Sequence, residues 1–368
     1  MNMQHKFTLL GLLMLLIAAC DGDVEPEGPV SLNAPSYFGP YAIPENNPTT
    51  HEGVRLGRAL FYEKRLSGDQ SMSCANCHQQ AYAFTDGNQF SKGIDGIEGS
   101  FNSMSLQNLL WSERFFWNGR ATSLEDQALK PIEDPIELHL PLSEAVARLQ
   151  ADGAYEKMFK QAFGDKKVTA DRIAMAIAQF ERTLISNNSR YDKFLRNEGD
   201  LSDLELQGLE LFFTHPTPTA GIRGGNCGDC HLGPRTSGAM PGFDGFHNNG
   251  LDDQTSIKLG LSEITGETDD VGKFKAPTLR NIALTAPYMH DGRFQSLEEV
   301  LDHYNDHIKW SETLDPLIRS ASNLSDYPPQ EIKLGLSENE KTAIIAFLNT
   351  LTDTSFIHNP AFSSPFEE

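Results

Sequence analysis

Two five-residue runs carry the most specific chemistry in this chain: Cys74-Ala-Asn-Cys77-His78 and Cys227-Gly-Asp-Cys230-His231. Cys-x-x-Cys-His is the attachment signature of a c-type haem. The two thiols can form thioethers to haem vinyl groups, and the adjacent imidazole can then serve as axial ligand to the iron. A zinc site would ask for further ligands at tight spacing, and a redox dithiol does not need the trailing His. Two such motifs in one chain therefore point to two covalent haem c groups.

The surroundings of the motifs repeat. Gly57-Arg-Ala-Leu-Phe-Tyr62 precedes the first and Gly208-Leu-Glu-Leu-Phe-Phe213 the second. Leu106-Gln-Asn108 is followed nine residues on by Trp117-Asn-Gly-Arg120 and then Ser123-Leu-Glu125; Leu279-Arg-Asn281 is followed nine residues on by His290-Asp-Gly-Arg293 and then Ser296-Leu-Glu298. This spacing predicts two copies of one cytochrome-c-like unit. Fourteen residues past Trp117 stands Pro131, and fourteen past His290 stands Tyr304. If this position faces the iron opposite the motif histidine, the first haem is open and the second is capped by a phenol.

The elements that must hold these groups read as mainly α. Ser202-x-x-Glu205, Ser296-x-x-Glu299 and Ser337-x-x-Glu340 have the form of capping boxes. Thr169 caps a helix whose Ile173, Ile177, Phe180 and Leu184 share one face, read as core. Alternating strands are absent, and 214–272 is Gly-rich and irregular. The 368 residues divide into a lipoprotein-type signal peptide (1–19), a flexible tether (20–47), an N-terminal haem domain (48–199), a C-terminal haem domain (200–352) and a tail (353–368). Phe7 to Ala19 is too short to span a bilayer comfortably. It ends in Ile17-Ala18-Ala19-Cys20, and of five cysteines only Cys20 lies outside the haem motifs. The reading is a mature chain lipidated at Cys20 on the periplasmic face of a bacterial membrane. A net charge of −21 argues against nucleic acid as a partner.

Phe116-Trp117-Asn-Gly-Arg120, Pro131-Ile-Glu-Asp-Pro-Ile-Glu137 and Ala276-Pro-Thr-Leu-Arg-Asn-Ile-Ala-Leu-Thr-Ala-Pro-Tyr-Met-His-Asp-Gly292, with the two haem motifs, resemble the bacterial dihaem cytochrome c peroxidase/MauG family. Phe246-His-Asn-Asn-Gly250 and Gly266-Glu-Thr-Asp-Asp-Val-Gly-Lys-Phe274 look most like its MauG and MbnH-like members. The resemblance implies that His78 is the proximal ligand where peroxide reacts, with Gln127 and Glu137 as the distal pair. It implies that Trp117 lies between the haems, that His231 and Tyr304 ligate the second iron, and that Asn102, Thr285 and Pro287 hold a calcium ion, the last two through carbonyls. The peroxidase branch commonly has Met at the Tyr304 position, and often a blocking His in the loop that is here 91–101, which has none.

Chemically, O–O cleavage needs a proton moved between the peroxide oxygens, a task for a carboxylate such as Glu137. Gln127 could hydrogen-bond bound oxygen without titrating. A phenolate at Tyr304 favours oxidised iron more than a thioether does, and Trp117 offers a π system for hole transfer. The bland readings are an exposed loop acid, a surface helix residue, a core tyrosine and a core tryptophan. Met289 is the fallback ligand to Tyr304, with Met240 behind it. His303 points about 100° away from Tyr304 on a helix. His290 is expected to line the second pocket; His139, His247 and His307 to be surface or structural; Trp111 and Trp310 to be buried packing rather than relays.

The implied activity is a peroxide-dependent dihaem oxidoreductase that forms a high-valent bis-haem state and oxidises a Trp or Tyr of a partner protein; the likeness to MbnH-like members implies a copper-binding, MbnP-like partner. The alternatives are a cytochrome c peroxidase fed by a small cytochrome c or cupredoxin, and a dihaem electron carrier without catalysis.

Overall fold

The computed structural model describes residues 28–238, 245–324 and 332–366. Two helix pairs form its frame. In the N-terminal half, helix His51–Phe61 crosses helix Ala170–Thr183, with helix Leu124–Glu133 packed on the latter. In the C-terminal half, helix Asp203–Phe213 crosses helix Glu338–Asn349, with helix Leu297–Asp306 beside it. Both crossings bring backbone against backbone. A Cβ on Gly57 would lie 1.9 Å from the Ala176 carbonyl oxygen, and one on Gly208 would lie 1.9 Å from that of Ala343. Only glycine permits these approaches.

The expected caps form. Thr169 accepts from the Arg172 N–H, and Ser202 and Ser337 complete reciprocal boxes with Glu205 and Glu340. Ser296 accepts from the Glu299 N–H, but this box is not reciprocal, because the Glu299 carboxylate accepts instead from the Gln295 N–H at 2.5 Å. Each half has its own apolar core. Leu56, Leu60, Ile132, Phe159, Ile173 and Ile177 meet in the first, and Phe212, Leu301, Ile344, Phe347 and Leu351 in the second. Each fully buried Leu, Ile or Phe contributes about 1.5–3 kcal/mol.

Corresponding residues of the two halves do the same local work. Asn108 and Asn281 have φ of +57° and +56° and each begins a short 3-10 turn. The Asn108 N–H donates to Leu184 O at 2.8 Å and the Asn281 N–H to Leu351 O at 3.0 Å. Their side-chain oxygens accept from the Ser186 N–H (2.9 Å) and the Asp353 N–H (2.6 Å). Thus each Leu-x-Asn motif clamps the segment that leaves its half's long helix. Isolated bridges Phe115–Ala121 and Tyr288–Phe294 close equivalent loops.

Between 214 and 272 the described residues form only short elements. The described sheet is one antiparallel pair, Phe246–His247 with Phe274–Lys275, in the register Phe246–Lys275 and His247–Phe274. Among the described residues no helix is long and apolar enough to cross a membrane. The signal segment and Cys20 lie outside the described residues.

Two boundary segments differ from expectation. Residues 28–47, read as part of a flexible tether, are docked where described: Phe38 is 2 % exposed, its ring meets Trp111 edge-on at 5.2 Å, and Asn47 bonds Glu125 and Gln179. Of the tail, residues 353–366 return to the N-terminal half as a strap. Phe356 and Phe362 are buried with Phe61, Phe84 and Phe180, and Arg58 and Tyr62 donate to Ser363 O and Phe362 O at 2.6 and 2.7 Å. The apolar runs are too short to announce this docking, which depends on surfaces supplied from far along the chain.

Candidate active site

Each haem motif opens onto its own cavity, with about 1420 Å³ of atom-free space in the N-terminal half and about 1570 Å³ in the C-terminal half, mouths included. Each is lined by the motif cysteines and histidine of its own half, the residues that would hold a haem.

The ligand chemistry fits haem c on this geometry. His78 Nδ1 lies 2.9 Å from Phe84 O, and His231 Nδ1 lies 3.1 Å from Pro277 O. A carbonyl can only accept, so Nδ1 carries the proton in both rings and Nε2 keeps its lone pair for a metal. Burial lowers both imidazole pKa values, His231 to about 4, keeping the rings neutral. No disulfide joins the four motif cysteines. Burial raises all four thiols, Cys74 and Cys227 to about 12.

Pro131 and Tyr304, the matched positions, each line the cavity of their own half, with His78 and His231 respectively. Pro131 offers no ligand atom. The Tyr304 hydroxyl oxygen accepts from Asn249 Nδ2 at 3.2 Å, while burial holds its pKa well above that of an ordinary phenol. Met289 lines the same cavity; its sulfur is 3.5 Å from the same amide nitrogen. His303 does not line the cavity; its Nε2 donates to Asn249 O at 3.0 Å. Met240 lies outside the described residues.

Helix Leu124–Glu133 and the loop after it deliver Gln127, Pro131 and Glu137 to the first cavity. Gln127 Oε1 is buried there without a hydrogen-bond partner. Glu137 is raised by burial and then by Asp134, against the pull of Arg120, whose Nη2 is 3.5 Å from Glu137 Oε1. The Glu137 side chain is 38 % exposed, and it lines the cavity, so a bound cofactor would complete its burial. Trp117, 9 % exposed, borders both cavities. Its indole N–H donates to Asn102 O at 2.8 Å.

Asn102, Thr285 and Pro287 all line the second cavity. Asn102 Nδ2 donates to Asn88 O at 2.8 Å and Gln89 O at 3.3 Å, which leaves its side-chain oxygen as the donor atom for a hard cation. Among the described residues no three His, Cys, Asp or Glu gather as a metal cluster.

His290 lines the second cavity, stacked 3.7 Å from the Phe274 ring, with Nε2 buried and unpartnered. His139 and His307 are exposed, the first paired with Asp95 at 2.7 Å and the second donating to Asp302 O at 2.9 Å. His247 is paired with Asp315 at 2.7 Å and lines the second cavity. Trp111 is buried and donates to Gly39 O at 3.2 Å. Trp310 is a correction: it is 55 % exposed, with the Arg319 guanidinium 5.7 Å from its ring. The loop 307–314 is too polar and short to close over an indole.

Some wall residues were not foreseen. The helix face read as core also lines the first cavity through Ile177 and, one turn on, Glu181. Glu181 is 3 % exposed, Oε2 has no partner, and burial lifts its pKa to about 8. An acid four residues after Ile177 on an apolar stripe was the available signal. Asn249 and Lys275 carried none, since their placement depends on the two-stranded ribbon.

Comparison with known proteins agrees with this geometry. Residues 51–200 match the family model described as di-haem cytochrome c peroxidase. The methylamine utilization protein MauG of Methylorubrum extorquens is 36 % identical over 310 residues, covering 84 % of this chain and 80 % of that protein. The chain belongs to the dihaem cytochrome c peroxidase/MauG family. The cytochrome c551 peroxidase of Nitrosomonas europaea is 33 % identical over 83 % of this chain and 81 % of its own. A solved MauG-like protein associated with microbial copper homeostasis superposes with a TM-score of 0.78 at 36 % identity, covering 91 % of this chain and 99 % of that one. This family member is accordingly a haem-dependent oxidoreductase with c-type haems.

Proposed function

We propose that this protein is a peroxide-dependent dihaem oxidase of the MauG/MbnH kind, which oxidises a Trp or Tyr side chain of a partner protein. The observation that carries this is the unequal pair Pro131 and Tyr304: the wall position that offers a phenol in the second cavity offers no ligand in the first. Bound haem would supply a redox-active iron in each cavity, at the first of which peroxide is reduced. The chain supplies the rest. Cys74, Cys77, Cys227 and Cys230 anchor the macrocycles, and His78 and His231 present Nε2 because their Nδ1 protons are committed to carbonyls.

Glu137 accepts the proton of the inner peroxide oxygen and returns it to the outer one, the role its raised pKa suits. Gln127 would donate an amide N–H to the peroxide and orient it. Trp117 would carry electrons from the second site to the first. Tyr304 would hold the second haem iron as a phenolate, a hard anionic donor that favours oxidised iron.

We further infer that the halves are two copies of one cytochrome-c-like unit, supported by the matched Asn108/Asn281 clamps. Asn102, Thr285 and Pro287 would hold a Ca²⁺ between them. We take the substrate to be a periplasmic, copper-binding, MbnP-like protein and the chain to be lipid-anchored through Cys20; a similar solved protein is associated with copper homeostasis.

Magnetic resonance and absorption spectra of the resting ferric protein test the reading. One high-spin and one low-spin haem, with direct reaction with peroxide, is expected. Two low-spin haems that need prior reduction would instead mark a cytochrome c peroxidase.

A further inference from the structure

The two cavities share a wall. Asn102 to Ser105 and Trp117 make most of it, and Lys275 completes it, bordering both sides. Lys275 is 7 % exposed. Its backbone N–H donates to Trp117 O at 2.9 Å, which ties it to the tryptophan. Its ammonium donates to Arg114 O at 2.5 Å and stands 5.3 Å from the centroid of the Phe115 ring. A carbonyl and a ring face soften a buried charge but do not cancel it. Burial alone moves its pKa, down to about 8, and no acidic group contributes. Its contacts, a carbonyl oxygen and an aromatic face, are those that hold an ammonium ion.

A fixed cation makes any neighbouring centre harder to oxidise, because the oxidised form is the more positive. The effect is strong where water is scarce. We propose that Lys275 is an electrostatic positioning residue for both cofactor sites: its ammonium raises the reduction potentials of the two haems together and keeps Trp117 from retaining a hole that it passes on. This rests on haem in both cavities, as the family requires, and not on the choice between oxidase and peroxidase.

The test is spectroelectrochemical titration of the purified dihaem protein and of Lys275→Met, Lys275→Gln and Lys275→Arg. The Met and Gln variants should show more negative midpoint potentials at both haems, by similar amounts, and the Arg variant should stay near the parent. Gln retains an N–H donor, so a shift in Met but not Gln would trace to the lost hydrogen bond and overturn the proposal. So would potentials that do not move, a shift confined to one haem, or an Arg variant that follows Met. If Lys275→Met fails to take up both haems, the Gln and Arg pair carries the comparison. Resting spin states decide the catalytic reading independently.

Discussion

Arg120→Gln isolates the electrostatics of the proton-transfer group. Arg120 Nη2 stands 3.5 Å from Glu137 Oε1, the guanidinium lies 4.1 Å from the Phe116 ring centroid, and a second carboxylate, Asp134, is 3.9 Å away. Unit charges at this separation attract by about 1 kcal/mol when fully screened by water, and by about 5 kcal/mol at the dielectric of a protein surface. Glu137 is 38 % exposed before a cofactor completes its burial, so the screened figure is the lower bound. About 1 kcal/mol corresponds to a factor of about five in the ionised fraction.

The sign follows from the roles. Burial and Asp134 already raise the Glu137 pKa, and Arg120 is the group that lowers it. Without Arg120 the carboxylate takes up a proton at higher pH, and a base is inactive once protonated. Stopped-flow kcat/KM for peroxide against pH should thus show the acid limb displaced upward, with rates at least about fivefold lower on that limb and an unchanged alkaline plateau. Glu137→Gln should remove the limb and about 10²–10⁴-fold of the rate. An acid limb that stays in place in Arg120→Gln, or moves to lower pH, would refute the assignment of Glu137 as the base.

Tyr304→Phe should leave both haems covalently attached while the low-spin signal of the second haem changes in electron paramagnetic resonance; an unaltered signal removes Tyr304 as a ligand. Gly208→Ala should lose at least about 1–3 kcal/mol in urea denaturation, because its Cβ would meet the Ala343 carbonyl oxygen at 1.9 Å. Asp192→Asn should cost about 3–5 kcal/mol, since Arg280 and Asp192 form a 2.7 Å ion pair in which both side chains are 0 % exposed. Calcium measured on the purified protein should fall on chelation with a change in the haem spectra; protein without calcium and indifferent to chelator would dismiss the Asn102, Thr285 and Pro287 site.

What could be read from the sequence was local or repeated. Helix caps at Thr169, Ser202 and Ser337 depend on groups three residues away, the backbone N–H in each and the glutamate side chain as well in the last two, so spacing announces them. The contrast of Pro131 with Tyr304 came from counting along two similar segments, and the structure places both positions in cavity walls. Partners far apart in the chain were not legible. His247 pairs with Asp315 across 68 residues, and Lys275 reaches Arg114 O across 161. Glu181 looked like one more charge on a helix until the packing of that helix put it in a cavity. Trp310 misled for the opposite reason: indoles are usually covered, and this one is not.

The choice between Tyr304 and Met289 as the second ligand turns on Asn249. Its carbonyl accepts from His303 Nε2 at 3.0 Å, and its neighbour Gly250 accepts from the Lys309 N–H at 2.8 Å. The backbone at and after Asn249 is therefore fixed while its side-chain amide donates to Tyr304 Oη. A donor aimed at a phenol oxygen stabilises the anion, opposing the burial that disfavours it. Metal binding needs that deprotonated form, so Asn249 offsets part of the cost of making it. A thioether has no proton to lose and gains little from the same donor. Met289 does adopt a φ of +74°, but Phe116, its counterpart in the other half, adopts +65° and has no ligand atom to offer. The left-handed backbone at Met289 thus belongs to the repeated turn before Trp117 and His290, and it gives no separate reason to draw the sulfur toward iron.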